Sequence, residues 1–192
     1  MVVRQSLRDL PKLLGTFARD PVGTMRSPLT LSWPAITSLV LGSAIVSGVL
    51  VGVLSRSLLD FLIGLLLFPL TSLLITIVFT FFIYYFFSLF KSTFLEFTRL
   101  ASIVSLAMVP YFFVHTFSSF APPIDLIGFA LTGLLLIVGL VEQFGLDRKV
   151  CVKLIGGLGA GFFIIWSVVQ FQSHAREKTE QERSPKTLEE MK

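Results

Sequence analysis

From Leu31 to Gln172 the chain is a near-continuous run of apolar residues, broken only by short polar joints. A soluble core of this size cannot hide that surface, and water cannot solvate it, so the pattern predicts helices that cross a membrane. A crossing needs about 20 apolar residues. The first span is expected over about Trp33 to Leu54, with Ser32 as its cap, Trp33 at the interface, Pro34 in the first turn and Arg56 closing it. The stretch Leu58 to Phe90 is too long for one straight span and too short for two. With Asp60 near its start and Pro69 inside, it reads as an interfacial or partly buried lead-in, 58–68, before a second span from about Pro69 to Phe90. Whether 58–68 is interfacial, re-entrant or part of that span stays open at this level. The run Phe81 to Phe87 forms an aromatic belt at headgroup depth. The third span is expected over about Leu100 to Phe117, with Pro110 inside it. Pro122-Pro123 stops the helix, and a fourth and a fifth span follow at about Ile124 to Val141 and Leu154 to Phe171. The predicted fold is all-α: a polytopic membrane bundle of five transmembrane helices behind a short amphipathic N-terminal segment. Its parts are a leader (1–31), a membrane domain (32–172) and a charged tail (173–192).

Charge orients this bundle. Only 15% of the 192 residues are charged, against roughly a quarter in a soluble domain, and they gather at the ends and joints. Arg4, Arg8, Lys12, Arg19 and Arg26 precede the first span, Lys91 and Arg99 lie in the second joint, and Arg148, Lys149 and Lys153 lie in the fourth. Five spans put all of these on one side, and the positive-inside rule makes that side the cytoplasm. The N-terminus is then cytoplasmic and the C-terminus lies outside the cytoplasm. Splitting Leu58–Phe90 into two spans would move half of these cations to the wrong face. Cations placed this way exclude a nucleic-acid partner as the reason for the basic balance. Cys151 is the single cysteine, so no internal disulfide and no Cys/His zinc site is expected. Met1 to Met25 lacks the apolar core of a secretory signal.

In the leader, Val3, Leu7, Leu10, Leu14 and Phe17 recur at steps of four and three, with Arg4, Arg8, Lys12 and Arg19 on an adjoining stripe. This predicts a helix on an anionic cytoplasmic leaflet, with those four cations as its contacts. Pro11 kinks that helix or begins a new one. The tail mixes both charges without an apolar stripe, which predicts disorder or a frayed helix.

Four constellations are candidate sites. Ala44, Gly48 and Gly52 in the first span, and Gly157 and Gly161 in the fifth, are small residues at four-residue spacing, which lets helix backbones approach closely. Packing within one bundle and a homodimer seam are both readings of that spacing. His115 and Asp125 flank the Pro122-Pro123 joint and are placed to pair, as a pH-sensitive joint or as two interfacial residues. Glu96 and Arg99, three apart, predict a local ion pair. Pro69 and Pro110 free backbone carbonyls that Thr71, Thr76 and Ser105 can help to satisfy, as a packing kink or as a coordinating break in a transport path. No nucleophile elbow, zinc-binding helix or glycine-rich nucleotide loop occurs. The chain is therefore expected to hold no catalytic, cofactor-binding or metal-binding residue.

Two stretches carry a family resemblance. Phe97-Thr98-Arg99-Leu100-Ala101-Ser102-Ile103-Val104-Ser105-Leu106-Ala107-Met108-Val109-Pro110 resembles the third span of the YIP (Ypt/Rab-interacting protein) family, where an apolar run reaches a proline about midway. Leu136 to Lys149, with Gly139-Leu140, Glu142 and Gly145-Leu146-Asp147-Arg148-Lys149, resembles that family's exit from the fourth span. Asp20-Pro21-Val22-Gly23-Thr24-Met25 is similar to the leader of bacterial members, and the aromatic-glycine motifs of eukaryotic members are absent. The resemblance implies a prokaryotic inner-membrane protein that binds membrane or cytoplasmic proteins or organises lipid, with no defined reaction and no cofactor. Its partners would be the bilayer, its anionic lipids, other proteins and a second copy of itself. The competing expectation is a small transporter or channel component built on the kinked second and third spans, with a polar, solvent-reachable cavity at mid-depth.

Overall fold

Where no breaker intervenes an apolar helix runs on, so the joints and prolines set this architecture. The computed structural model describes residues 4–118, 120, 123–164 and 167. The leader holds α1 (Leu10–Arg19) and α2 (Pro21–Arg26), and a two-residue parallel pairing joins β1 (Arg4–Gln5) to β2 (Thr30–Leu31). α3 (Trp33–Ser55) follows. α4 (Leu58–Leu62), a π segment (Ile63–Leu67) and α5 (Phe68–Lys91) run on as one helix of 34 residues. α6 (Phe97–Ala107) and α7 (Val109–His115) make a third, α8 (Ile124–Phe144) a fourth, and α9 covers 148–164. The chain divides into two compact units, Met1–Ile155 and Gly156–Lys192.

The fold is all-α in its long elements, as a polytopic membrane bundle requires. Among the described residues four helices are long and apolar enough to cross a membrane: Trp33–Ser55, Leu58–Lys91, Phe97–His115 and Ile124–Phe144. The sequence pattern predicts five. The difference lies in α9, whose described part is shorter than the about 20 residues a crossing needs; most of 165–171 and the tail 173–192 lie outside the described residues. α9 also starts earlier than Leu154, because Asp147 opens it: its backbone carbonyl accepts from Cys151 N–H at 3.0 Å and its carboxylate from Lys149 N–H at 2.8 Å. Arg148, Lys149 and Lys153 are thus helical, and Gly145, in the left-handed conformation at φ 65°, opens a short joint after α8.

The stretch 58–68 is not a separate interfacial lead-in. It is the first part of the second long helix, and the π segment explains how Pro69 is accommodated. A proline ring inside an α-helix crowds the carbonyl four residues back and leaves it without its N–H. Here Phe68 N–H reaches back to Ile63 O, the five-residue step of a π turn, which rearranges the carbonyls just ahead of Pro69. Thr71 Oγ1 donates to Leu67 O at 2.9 Å and Phe68 O at 3.0 Å. At about 1.5 Å per residue this helix is about 50 Å long, well beyond a hydrocarbon core of about 30 Å. Its ends project past the core, or it tilts.

The joint at Arg56 and Ser57 folds 58–67 back along α3. Arg56 ends α3 in the left-handed region, φ 54°, and Ser57 Oγ accepts from Asp60 N–H at 3.2 Å to start the next helix. Gly48 then lies against Gly64, and Gly52 against Phe61, so closely that a methyl on either glycine of the first pair would strike the backbone of the other. The α-helical run of the third long helix is interrupted at Met108. Pro110 falls in the first turn of α7, and Met108 and Phe112 keep their N–H bonds to Val104 and Met108. α6 is the central element, buried at every position from Leu100 to Ala107, with α3, α5, α8 and β2 against it.

α5 is inverted relative to a helix in water. It buries Ser72, Thr76 and Thr80 and exposes Leu70, Leu74 and Val78, Leu74 at 60%. Two of the inward hydroxyls bond their own helix, Thr76 Oγ1 to Ser72 O and Thr80 Oγ1 to Thr76 O, both at 2.7 Å, and Thr76 Oγ1 also lies 3.1 Å from Met108 Sδ. Small residues inside and leucines outside is the arrangement that lipid permits. The glycine approach yields a test. Gly48→Val is expected to lower the stability of the purified protein by about 2 kcal/mol or more, by overpacking against backbone that cannot yield. Gly42→Ala, where a methyl meets nothing within 4 Å among the described residues, is expected to be neutral or stabilising; SDS-titration unfolding in detergent measures both.

Candidate functional site

The leader's short helices are set by Pro11 and by Asp20. Pro11 falls in the first turn of α1, so Leu7 precedes the α-helix, in a 3₁₀ turn where Ser6 N–H and Oγ both bond the Asp9 carboxylate at 2.9 Å. Those bonds, the backbone one foremost, hold the Asp9 carboxyl below its ordinary pKa. Asp20 caps α2 by accepting from Gly23 N–H at 2.8 Å, and a Cβ at Gly23 would make the Asp20 carboxylate shift.

The α2–β2 turn is then clasped to the bundle by two side chains. Gln143, near the end of α8 and 8% exposed, donates from Nε2 to Met25 O at 2.8 Å. Its Oε1 accepts from Leu29 N–H at 3.2 Å and from Arg99 Nε at 3.1 Å. On α6, Ser102 Oγ accepts from Leu31 N–H at 2.9 Å and donates to Thr98 O at 2.7 Å. Met25, fully buried, fits because Gly139 has no side chain; a methyl there would press on Met25 and Ile103. Buried backbone groups with partners of this kind cost little, and without them they cost about 1–3 kcal/mol each. The clasp therefore fixes the leader as part of the fold.

The cations of the leader consequently sit on a built surface. Arg8, Lys12, Arg19 and Arg26 are exposed, and Arg26 Nε lies 3.8 Å from Glu142 Oε1. Arg4 lies in β1, and its side chain is outside the described ones, as is Val3. The buried stripe of α1 is Leu10, Leu13 and Phe17, with Leu14 half-buried and Leu7 exposed. This corrects the wheel through Leu7, Leu10, Leu14 and Phe17: that wheel assumes one helix through Pro11, whereas α1 begins at Leu10 and turns its apolar face into the protein. Arg99 likewise does not pair with Glu96. It reaches across to Gln143, with its guanidinium carbon 5.3 Å from the centre of the Phe144 ring.

At the other end of α8, His115 and Asp125 are brought together, Nδ1 to Oδ1 at 3.0 Å, each side chain about one-fifth exposed. The imidazole is stacked on Phe68 at 4.6 Å and on Tyr111 at 5.5 Å between ring centres, so its plane is fixed by two aromatic faces and its edge by one carboxylate. Pro122 of this joint lies outside the described residues. The small residues separate by partner. Ala44 is buried with Val40, Met108 and Phe112; Gly48 and Gly52 meet the 58–67 stretch; a methyl at Gly157 or Gly161 meets nothing within 4 Å among the described residues. No group of three His, Cys, Asp or Glu placed to hold a metal occurs among the described residues.

The fold and these two ends define a helical, polytopic membrane protein. No family model matches the chain, and no curated protein or solved structure matches it. The residues that the sequence reading misses are Gln143 and Ser102. Gln143 is the polar neighbour of Glu142, one residue and 100° further round α8, and that rotation turns it inward.

Two outcomes check this arrangement. Gln143→Leu is expected to speed hydrogen exchange at Leu29 and trypsin cleavage after Arg26, with a loss of about 1–3 kcal/mol, while Arg26→Gln, at an exposed pair, changes stability by less than about 1 kcal/mol. A double-mutant cycle of His115→Ala and Asp125→Ala is expected to return a coupling of about 1 kcal/mol.

Proposed function

We propose that this is a non-enzymatic inner-membrane protein of the YIP type, with five spans and a cytoplasmic N-terminus, that binds protein partners or organises lipid through its basic end. The observation that carries the reading is the clasp of Gln143 and Ser102, which presents Arg8, Lys12, Arg19 and Arg26 on an ordered surface beside the spans. A leader that served only to enforce topology would need no such fixation. Cations held beside a hydrocarbon core favour anionic headgroups and acidic protein surfaces. The fifth crossing, Leu154 to Phe171, rests on the apolar run of those residues after the fourth joint. The YIP-like stretches fall on structural positions: Asp20, Pro21 and Gly23 build α2, and Ser102 and Gly139 receive the leader.

A transport path is less well supported. The residues it would use are otherwise engaged: Thr71 and Thr76 bond their own helix, Pro69 follows a π turn and Pro110 lies in a first turn. Among the described residues Ser105 Oγ is buried without a partner, one hydroxyl and no path.

Tags at Met1 and Lys192 are expected on opposite faces of the membrane; tags on one face refute the odd number of crossings. Copurification in mild detergent is expected to recover protein partners or anionic lipid with the wild type, and to lose them with the combined Arg8→Gln, Lys12→Gln and Arg19→Gln variant. Solute flux in reconstituted vesicles above that of empty ones contradicts the reading.

A further inference from the structure

The α7–α8 joint stops short of the helical hairpin beside it. On the leader side α3 and α6 begin level with each other, the rings of Trp33 and Phe97 5.9 Å apart. At the other end Thr116 Oγ1 lies 3.5 Å from Ser47 Oγ. From Ser47, α3 runs on to Ser55, about 12 Å at helical rise. Gly64 packs on Gly48 and Phe61 on Gly52, so 58–67 lines that same last part of α3. The hairpin of α3 and 58–67 therefore overhangs the joint. Its overhanging part is apolar on the outside: Val53, Leu54, Leu58, Leu59 and Leu62 are all exposed. α3 has 23 residues, about 34 Å of helix against a hydrocarbon core of about 30 Å. Lipid that covers the hairpin thus extends past the level of the joint.

At that level the chain carries its polar pair. His115 and Asp125 bond each other, each side chain about one-fifth exposed, and the chain beside them runs in turns at 116–118 and 120. Phe68, where 58–67 passes into α5, stacks on His115, so the pair lies at the foot of the hairpin. Ionisable groups and non-helical backbone inside the hydrocarbon layer persist where protein buries them or where water reaches them. Their exposure means that this chain does not bury them fully. Below them the way is closed: Thr116 Oγ1 also bonds Phe112 O, and Phe112 belongs to the buried cluster with Val40, Ala44 and Met108. We infer that a blind, water-filled recess opens on the face opposite the leader, with the hairpin of α3 and 58–67 as its apolar wall and His115 and Asp125 at its floor. It makes that pair a site for water and the small polar solutes of that face, without a path through the protein. The overhang carries this, not the orientation of the leader, so it stands apart from the proposed function.

Power-saturation paramagnetic resonance of the full chain with Cys151→Ser, reconstituted into vesicles, tests it with oxygen and a neutral nickel chelate as probes. Single labels go at Ser118 and Phe120 in the joint and at Val53 and Leu62 on the hairpin, all outside the buried cluster. The ratio of nickel to oxygen collisions is expected to be at least threefold higher at Ser118 and Phe120, although the hairpin sites lie nearer the far end of α3. Oxygen-dominated collisions at all four overturn the inference, since the joint then lies dry against lipid. Nickel-dominated collisions at all four overturn it as well, because the hairpin then stands in water beyond a joint at the membrane surface. Few collisions with either probe at Ser118 and Phe120 also overturn it and make a covering protein the occupant. A second readout needs no label: with a water-soluble carbodiimide and a charged amine, Asp125 of the natural chain in vesicles is expected to be modified, as peptide mass spectrometry reads it. An unmodified Asp125 beside a modified Asp60 overturns the inference.

Discussion

Hydrocarbon offers a polypeptide no hydrogen-bond partner, so each peptide group at membrane depth must be satisfied within its own helix or by a neighbour. Most of this structure follows from that constraint. The prolines of the long helices sit where the missing N–H matters least, Pro34 and Pro110 in first turns and Pro69 behind a π segment. The threonines of α5 turn their hydroxyls onto carbonyls one turn back and so pass through the core without exposing a free polar group. Backbone that leaves the helix does so at the ends, and there side chains complete the bonding, as Gln143 and Ser102 do for 25–31.

Lipid also removes the force that drives helices together in water, so close approach takes its place. The contact of Gly48 with Gly64 illustrates how little area that requires when two backbones meet directly. It also fixes the register of the long second helix: with 58–67 folded along α3, α5 carries on and delivers Phe68 to the cluster around Val40, Ala44, Met108 and Phe112. The same ring of Phe68 stacks on His115, so one packing decision at Arg56 and Ser57 organises both the bundle core and the polar pair at its rim.

The sequence makes the spanning helices legible because their signals are long and local. Trp33, Pro34 and Arg56 bracket α3 as their chemistry predicts, Ile124 begins α8, and the pairing partners His115 and Asp125 stand either side of a short joint. What stays hidden depends on rotation or on distant partners. A π turn has no residue signature of its own, so 58–68 looks separable from 69–91. Leu13 and Leu14 differ by 100° on a wheel whose origin depends on where Pro11 starts the helix. Arg99 has a nearby acid in Glu96 and a distant amide in Gln143, and only tertiary structure shows that the distant one wins. Ala44, Gly48 and Gly52 share one spacing, yet Ala44 is buried with Met108 and Phe112 while Gly48 is pressed against backbone, a difference set by which neighbour arrives and not by α3 itself.

The central claim is that lipid, not water or a buried core, covers the outward leucines of the second long helix. Spin labels placed singly at Leu70, Leu74 and Val78, in a chain with Cys151→Ser and reconstituted into vesicles, report it by power-saturation paramagnetic resonance. Collisions with oxygen, concentrated in the hydrocarbon, are predicted to exceed those with a water-soluble nickel complex at all three positions. Dominant nickel collisions there would place that face in water and contradict the account.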